Sequence, residues 1–136
     1  MYKAEFEDEY KLITATSATF SQKVTELMTL KGWDANKFAQ HTRLEPNNYY
    51  RITQGLTENP SLETVLNICI GLRLSSKLRD ELITLAGRSW QNTRLHTAYR
   101  FILDGDKVES VSDFNIMFDM LNIDPHGRLP LKDDIL

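Results

Sequence analysis

A short run of polar side chains, formed by Asn47, Asn48, Tyr50 and Arg51, has the chemistry needed to recognise bases. An asparagine amide can bond to both N7 and the N6 amine of adenine, and an arginine guanidinium can bond to both acceptors of guanine. A tyrosine can stack on a sugar or donate to a phosphate. The sequence therefore predicts a base-reading element here. The alternative is that the two asparagines only help to cap a short, exposed helix.

Residues able to contact phosphates precede this run. The candidates are Lys31, Asn36, Lys37 and Arg43, with Lys23 as a further basic residue upstream. A single surface charge is more commonly solvated than bound to a ligand, so it is the clustering of these residues that favours a phosphate-contacting surface. The free amides that open the helix after Glu45-Pro46 add a site for a phosphate oxygen.

The spacing of apolar residues predicts helices throughout and no strand. A helix over Ser17–Lys31 places Phe20, Val24, Leu27 and Met28 on one face. The next helices are predicted from an Asp34 cap to about His41, over Pro46–Gln54 with Glu45 at the cap position, from Ser61 to Leu72, and from Ser75 or Ser76 to the stop at Gly87. Further helices are predicted over Thr93–Leu103 and Ser112–Leu121, and a short one over Glu5–Ile13.

These elements predict an all-α protein with three parts. Residues 1–16 form an N-terminal extension, residues 17–87 form a five-helix domain, and residues 88–136 form a helical C-terminal extension. The last part is rich in large apolar residues: Trp90, Phe101, Phe114, Met117, Phe118 and Met120. They either extend the core or form a dimer contact, and the sequence leaves both alternatives open.

Composition and charge limit the class of protein. The chain has 136 residues, of which 41% are hydrophobic and 26% charged, as in ordinary globular proteins. Its net charge is −3, but residues 21–90 hold nine basic and seven acidic side chains, so the middle of the chain is its basic part. The acidic N-terminus, the single cysteine and the absence of a long apolar run predict a cytoplasmic protein with no membrane contact.

No catalytic motif and no metal-ligand spacing is visible, so we expect neither enzymatic activity nor a cofactor. His41, His96 and His126 are widely separated and have no paired cysteine or second histidine nearby. Cys69 lies on the apolar face of a predicted helix, which indicates packing and not reactivity. Asp104 and Asp106 flank a glycine and are explained by turn formation.

Three blocks in fixed order resemble the lambda-repressor-like (Cro/repressor, XRE-type) helix-turn-helix family. The blocks run from Lys31 to Ala39, from Leu44 to Gly55 and from Asn59 to Leu66, and the resemblance covers about residues 20–82. It implies a five-helix domain whose third helix enters the major groove of DNA. It also implies a sequence-specific transcriptional regulator, most commonly a repressor.

The same resemblance assigns roles to individual residues. The positions matching Pro46, Asn47, Asn48, Tyr50 and Arg51 lie on or beside the groove-facing surface, whereas those matching Tyr49 and Ile52 are buried. Members of this family usually bind paired half-sites, so it also implies a homodimer on double-stranded DNA.

The chain departs from the family pattern mainly in its phosphate contacts. Ala35 replaces the usual phosphate-binding glutamine, Arg43 replaces the usual glycine of the turn, and Leu56–Glu58 contains no basic residue. Weak binding by one copy is therefore expected, which favours dimerisation. The alternative function is an antitoxin-like module of the same fold, which binds a protein partner through its C-terminal helices and no longer binds DNA.

Overall fold

The computed structural model describes residues 2–7, 19–105 and 107–132, and every regular element within these ranges is a helix. Residues 2–7 form α1. The other helices are α2 (Phe20–Lys31), α3 (Ala35–Thr42), α4 (Asn47–Thr53), α5 (Leu62–Leu72), α6 (Ser76–Leu85), α7 (Arg94–Asp104) and α8 (Val111–Leu121). The predicted all-α class is confirmed for this part of the chain. None of the described helices is long and apolar enough to cross a membrane.

Short polar side chains begin these helices. The sequence predicts the caps Asp34 and Ser61, whereas the helix predicted from Ser17 begins at Phe20 because Thr19 is its N-cap; residues 17 and 18 lie outside the described residues. The Thr19 hydroxyl accepts from the Gln22 amide at 3.1 Å, and the Gln22 side chain accepts from Thr19 N at 2.9 Å, which completes a capping box for α2. The Asp34 carboxylate accepts from Lys37 N at 2.9 Å and begins α3. Serines begin α5 and α6 in the same way. Each cap satisfies an amide that has no partner within its helix and contributes about 1 kcal/mol.

Three predicted helix boundaries differ from the structure or lie outside the described residues. The helix predicted over Pro46–Gln54 begins at Asn47, with Pro46 as an N-cap that makes no side-chain bond. Glu45 is therefore not the cap, because its carboxylate pairs with Lys132. The last predicted helix begins at Val111 because the cap is Ser110, whose hydroxyl accepts from Asp113 N at 3.1 Å. The helix predicted over residues 5–13 overlaps α1 at residues 5–7, and the rest of it lies outside the described residues.

The core is organised around α5, which packs against α2, α3, α6 and α8. Val65, Leu66 and Ile68 are fully shielded from solvent. Gly71 brings α5 close to α3, because a Cβ at this position would lie 2.9 Å from the His41 carbonyl oxygen. The close packing of this pair fixes the position of the turn that follows α3.

The C-terminal extension contributes to the same core. Phe114 and Phe118 are buried and pack against Tyr99, with ring centroids 5.6 Å apart in both pairs. Trp90 and Met117 are partly buried against this cluster. The core interpretation is therefore correct for these residues. Phe101 and Met120, by contrast, are 70% and 78% exposed, and they remain available for an interface.

Two basic side chains are buried as partners of carboxylates. Lys23 is 1% exposed, and its Nζ lies 3.3 Å from the Glu81 carboxylate, which joins α2 to α6. Burial removes Lys23 from the candidate phosphate contacts. Arg79 lies 3.1 Å from Asp104 and joins α6 to α7. Loss of the Glu81 carboxylate would leave Lys23 as a buried charge without this partner, which costs about 3–5 kcal/mol.

Two buried groups make the protein sensitive to alkali. Burial raises the pKa of the Cys69 thiol from 9.0 to about 12, and burial raises the pKa of Tyr99 from 10.0 to about 12. In the unfolded chain both groups ionise at their lower values, so their contribution to stability is complete below about pH 9 and is lost as the pH rises toward 12. We expect the melting temperature to be constant up to about pH 9 and then to fall steeply.

The Cys69→Ala variant is the matched control, because it retains Tyr99 and removes the thiol. Its melting temperature should begin to fall about one pH unit later than that of the native chain. Identical alkaline profiles for the two proteins, measured by circular dichroism, would contradict the assignment to Cys69.

Candidate nucleic-acid interface

The outer face of α4 carries three of the five predicted base-reading residues. Asn47 and Arg51 are exposed, and Tyr50 is 52% exposed. Their spacing of i, i+3 and i+4 places them on one side of the helix. The structure therefore brings an amide, a phenol and a guanidinium together on one solvent-facing surface, which we call the α4 face.

Apolar contacts on the opposite side of α4 fix the orientation of this face. Ile52 is 2% exposed and belongs to the core. Tyr49 is half-buried, with its ring 6.1 Å from that of Phe38 in an edge contact. The helix packs on α2 and α3 through this side. Both residues that the family resemblance implies to be buried thus contribute to packing, as expected.

The remaining two predicted base readers stabilise the turn before α4. Pro46 is half-buried at the N-cap. The Asn48 side-chain amide donates to the Glu45 carbonyl at 3.2 Å, so this asparagine binds the turn and makes no cap bond to the helix amides. The backbone amides of Asn48 and Tyr49 donate to the carbonyls of Glu45 and Pro46, each at 3.0 Å. These two amides are satisfied internally, and the predicted phosphate site at the start of this helix loses them.

The predicted phosphate contacts fall into two groups. Asn36 and Lys37 are exposed in the first turn of α3. Arg43 follows the last turn of the same helix, about 10 Å further along its axis at 1.5 Å per residue. Lys31, which is exposed at the end of α2, lines a cavity together with Arg43. The structure therefore pairs Lys31 with Arg43 and keeps Asn36 and Lys37 separate from them.

Arg43 makes internal contacts through both of its terminal nitrogens. Nη1 donates to the Ser112 hydroxyl at 3.1 Å, and Nη2 lies 3.4 Å from the Lys132 carbonyl oxygen. Its backbone adopts a left-handed conformation with φ of 60° at the end of α3, which explains why glycine is usual at this position in the family that the sequence resembles. The guanidinium thus joins the turn to the C-terminal extension instead of facing solvent as a phosphate contact.

Residues 129–132, here called the C-terminal strap, run along this turn. The Lys132 amide donates to the Arg43 carbonyl at 2.9 Å. Asn67 of α5 donates from Nδ2 to the Thr42 carbonyl at 2.9 Å and to the Pro130 carbonyl at 2.7 Å. Asn115 of α8 exchanges two hydrogen bonds with the Leu129 backbone, at 2.9 and 3.1 Å. These bonds hold the strap against both α5 and α8.

Sequence reasoning missed the strap, because its one proline, Pro130, indicates only that regular structure has ended. Two polar residues within apolar helix faces were the available signal. Asn67 lies between Leu66 and Ile68 in α5, and Asn115 follows Phe114 in α8. A buried amide is almost always hydrogen-bonded, so such positions indicate a nearby backbone segment that is not part of a helix.

Charges beside α4 are partly neutralised by the strap. Lys132 forms an ion pair with Glu45, which is 61% exposed at its side chain. This pairing places a positive charge beside the acid nearest to the start of α4.

Within the described residues, no group of three or more His, Cys, Asp or Glu residues could hold a metal ion. The Cys69 thiol is buried, and its raised pKa of about 12 keeps it protonated near neutral pH. The described side chains of this region therefore offer hydrogen-bonding groups and basic groups.

Searches with this chain against protein-family models, curated proteins and solved structures gave no significant match. The family resemblance carried by the three sequence blocks therefore stays a prediction.

Substitutions at Arg43 test the link between the turn and the strap. Arg43→Ala removes the bonds to Ser112 and Lys132 and leaves a β-carbon in the left-handed conformation. We expect urea denaturation to show a loss of about 2–4 kcal/mol. Arg43→Gly removes the same bonds without that strain and should be more stable than Arg43→Ala by about 1 kcal/mol.

Arg73→Gly is the matched control, because Arg73 has a similar φ of 56° at the end of α5 and no guanidinium hydrogen bond among the described residues. It should be as stable as the native chain or more so. If Arg43→Gly were also as stable as the native protein, the guanidinium contacts would contribute nothing to the fold.

Proposed function

We propose that this protein is a sequence-specific DNA-binding transcriptional regulator, most simply a repressor, which inserts α4 into the major groove. The observation that carries the proposal is the α4 face, where Asn47, Tyr50 and Arg51 are exposed together on a helix that is anchored from behind by Ile52. Amide and guanidinium groups are the side chains that discriminate adenine and guanine at their major-groove edges.

The arrangement around α4 supports the same function. α3 is followed by a four-residue turn, residues 43–46, and then by α4, and the two helices pack together. Under the proposal this pair is the helix-turn-helix unit of a lambda-repressor-like domain formed by α2–α6. Lys37 and Asn36 in the first turn of α3 are exposed and supply phosphate contacts.

A second candidate function is favoured by the contacts of Arg43. One predicted phosphate contact is used internally, and exposed apolar residues lie on α7 and α8. A protein-interaction module of antitoxin type would bind its partner through those apolar residues, and its α4 face would not bind DNA. The selection experiment that follows distinguishes the two functions.

Selection from a random duplex library with the full chain tests DNA binding. We expect enrichment of two half-sites about one helical turn apart and an affinity that falls steeply with salt concentration. The Arg51→Ala variant should relax the preference at one base position in each half-site by about 1–3 kcal/mol, because a bidentate contact is lost. Selection and fluorescence-anisotropy titration at two salt concentrations provide both measurements.

Lys77→Ala is the matched control, since Lys77 is an exposed cation on α6 outside the α4 face. It should leave the preferred sequence unchanged. A library that shows no enriched sequence with the native chain at low salt would overturn the proposal and favour the protein-interaction module.

Dimerisation is the second part of the proposal, because one seven-residue helix contacts few base pairs. Ile116 and Met120 are 60% and 78% exposed and lie one turn apart on α8. Phe101 is 70% exposed on α7, which packs against α8. Exposed large apolar residues on two packed helices are suited to contact with a second copy of the chain.

The double variant Ile116→Lys, Met120→Lys should convert the dimer to a monomer in analytical ultracentrifugation, because the introduced charges would be buried in the interface. Leu30→Lys serves as the control, since Leu30 is 60% exposed at the end of α2, away from this surface. A native chain that sediments as a monomer at micromolar concentration would rule out this interface.

A further inference from the structure

A cavity of about 380 Å³ lies beside the turn between α3 and α4. Its wall is formed by the ends of α2, α3 and α5 and by the segment that enters α8. This volume lies within the range of about 300–1,000 Å³ that is typical of small-molecule sites. The cavity does not include the α4 face, so nothing in the proposed DNA contact uses it.

Three cations and one acid line the cavity. Lys31, Arg43 and Arg73 each lie at the end of a helix, and Glu109 precedes α8. The helix ends carry partial negative charge, but cap amides already bond to several of their last carbonyls, including those of Met28, Ala39 and Cys69. An excess of positive side chains therefore faces this space in a chain whose net charge is −3.

One donor in the cavity wall has no acceptor. The Arg43 Nε is buried and has no hydrogen-bond partner among the described residues, although both terminal nitrogens of the same guanidinium are engaged. A buried donor without a partner costs about 1–3 kcal/mol, and native structures seldom leave one unpaired. An anion that reaches Arg43 from the cavity would supply an acceptor for this donor.

An aromatic surface forms another part of the wall. The rings of Trp33 and His41 stack with centroids 5.2 Å apart and an interplanar angle of 9°, and both residues line the cavity. Such a surface favours a planar organic group, whereas the guanidinium and ammonium groups favour a phosphate or a carboxylate.

We propose that this cavity binds a small organic anion, in which a phosphate or carboxylate group accepts from Arg43 and a planar body packs near Trp33. Because Arg43 also holds the strap at Ser112 and Lys132, an occupant that competes for its donors alters the turn in front of α4. The ligand is then an effector of DNA binding, and this last step rests on the proposed function.

Isothermal titration calorimetry on the full chain tests the site without DNA. The probes are inorganic phosphate, phenyl phosphate and benzoate, each at an ionic strength held constant with sodium chloride. We expect saturable binding of at least one organic probe, and binding of phenyl phosphate about three- to tenfold tighter than that of inorganic phosphate, because its ring adds an aromatic contact. A preference for phenyl phosphate over benzoate identifies a phosphate ligand, and the reverse identifies a carboxylate.

The Lys31→Gln and Arg73→Asn variants remove single cations from the wall, and asparagine tolerates the left-handed backbone of Arg73. Each should weaken binding by about three- to tenfold, whereas Arg94→Gln, an exposed cation that does not line the cavity, should not. Equal affinities in all variants, or no saturable binding of any probe, would overturn the proposal and leave water as the partner of Arg43.

The failure of this proposal is distinguishable from failure of the proposed function. If the selected DNA binds equally well with and without a bound probe, the ligand is not an effector, although the protein still binds both the DNA and the probe. A chain that binds the probe but selects no DNA would retain the anion site and lose the regulator function.

Discussion

The hydrogen bonds of Asn67 are the constraint on which the rest of the structure depends. Its buried amide donates to the last carbonyl of α3, at Thr42, and to the strap carbonyl at Pro130. Without this donor the carbonyl of the buried Thr42 would lose its partner, which costs about 1–3 kcal/mol, and the strap would lose its bond to α5. One side chain of the central helix thus fixes the end of α3, the start of the turn and the path of the strap at once.

The exposed position of α4 follows from this arrangement. The turn before α4 is held from behind by Arg43 and by the strap, and Ile52 anchors the inner side of the helix in the core. The polar side chains of α4 therefore face solvent without contributing to the stability of the turn, apart from the Asn48 amide. A helix of only seven residues keeps its orientation because its neighbours fix both ends, and not because of its own helical propensity.

The bonds of Arg43 to the strap and to α8 explain how an arginine is accommodated at this position. Arg43 stands where glycine is usual, and the strain of its left-handed backbone is offset by bonds to Ser112 and Lys132. The same contacts withdraw its charge from solvent. Arg43 thus supplies a tertiary link, and this link places the C-terminal extension next to the turn before α4.

The sequence by itself determined the helical class and the starts of α3 and α5. Local rules decide these starts, because Asp34 and Ser61 cap their helices through bonds that span three residues. The burial of Ile52 is implied by the family resemblance and is found in the structure. Only the tertiary structure decided which groups Lys23, Arg43 and Glu45 contact. Their partners Glu81, Ser112 and Lys132 lie 58, 69 and 87 residues further along the chain. No local pattern encodes such distant pairs. The sequence does not distinguish a basic side chain that faces solvent from one that faces an internal carboxylate or a phosphate.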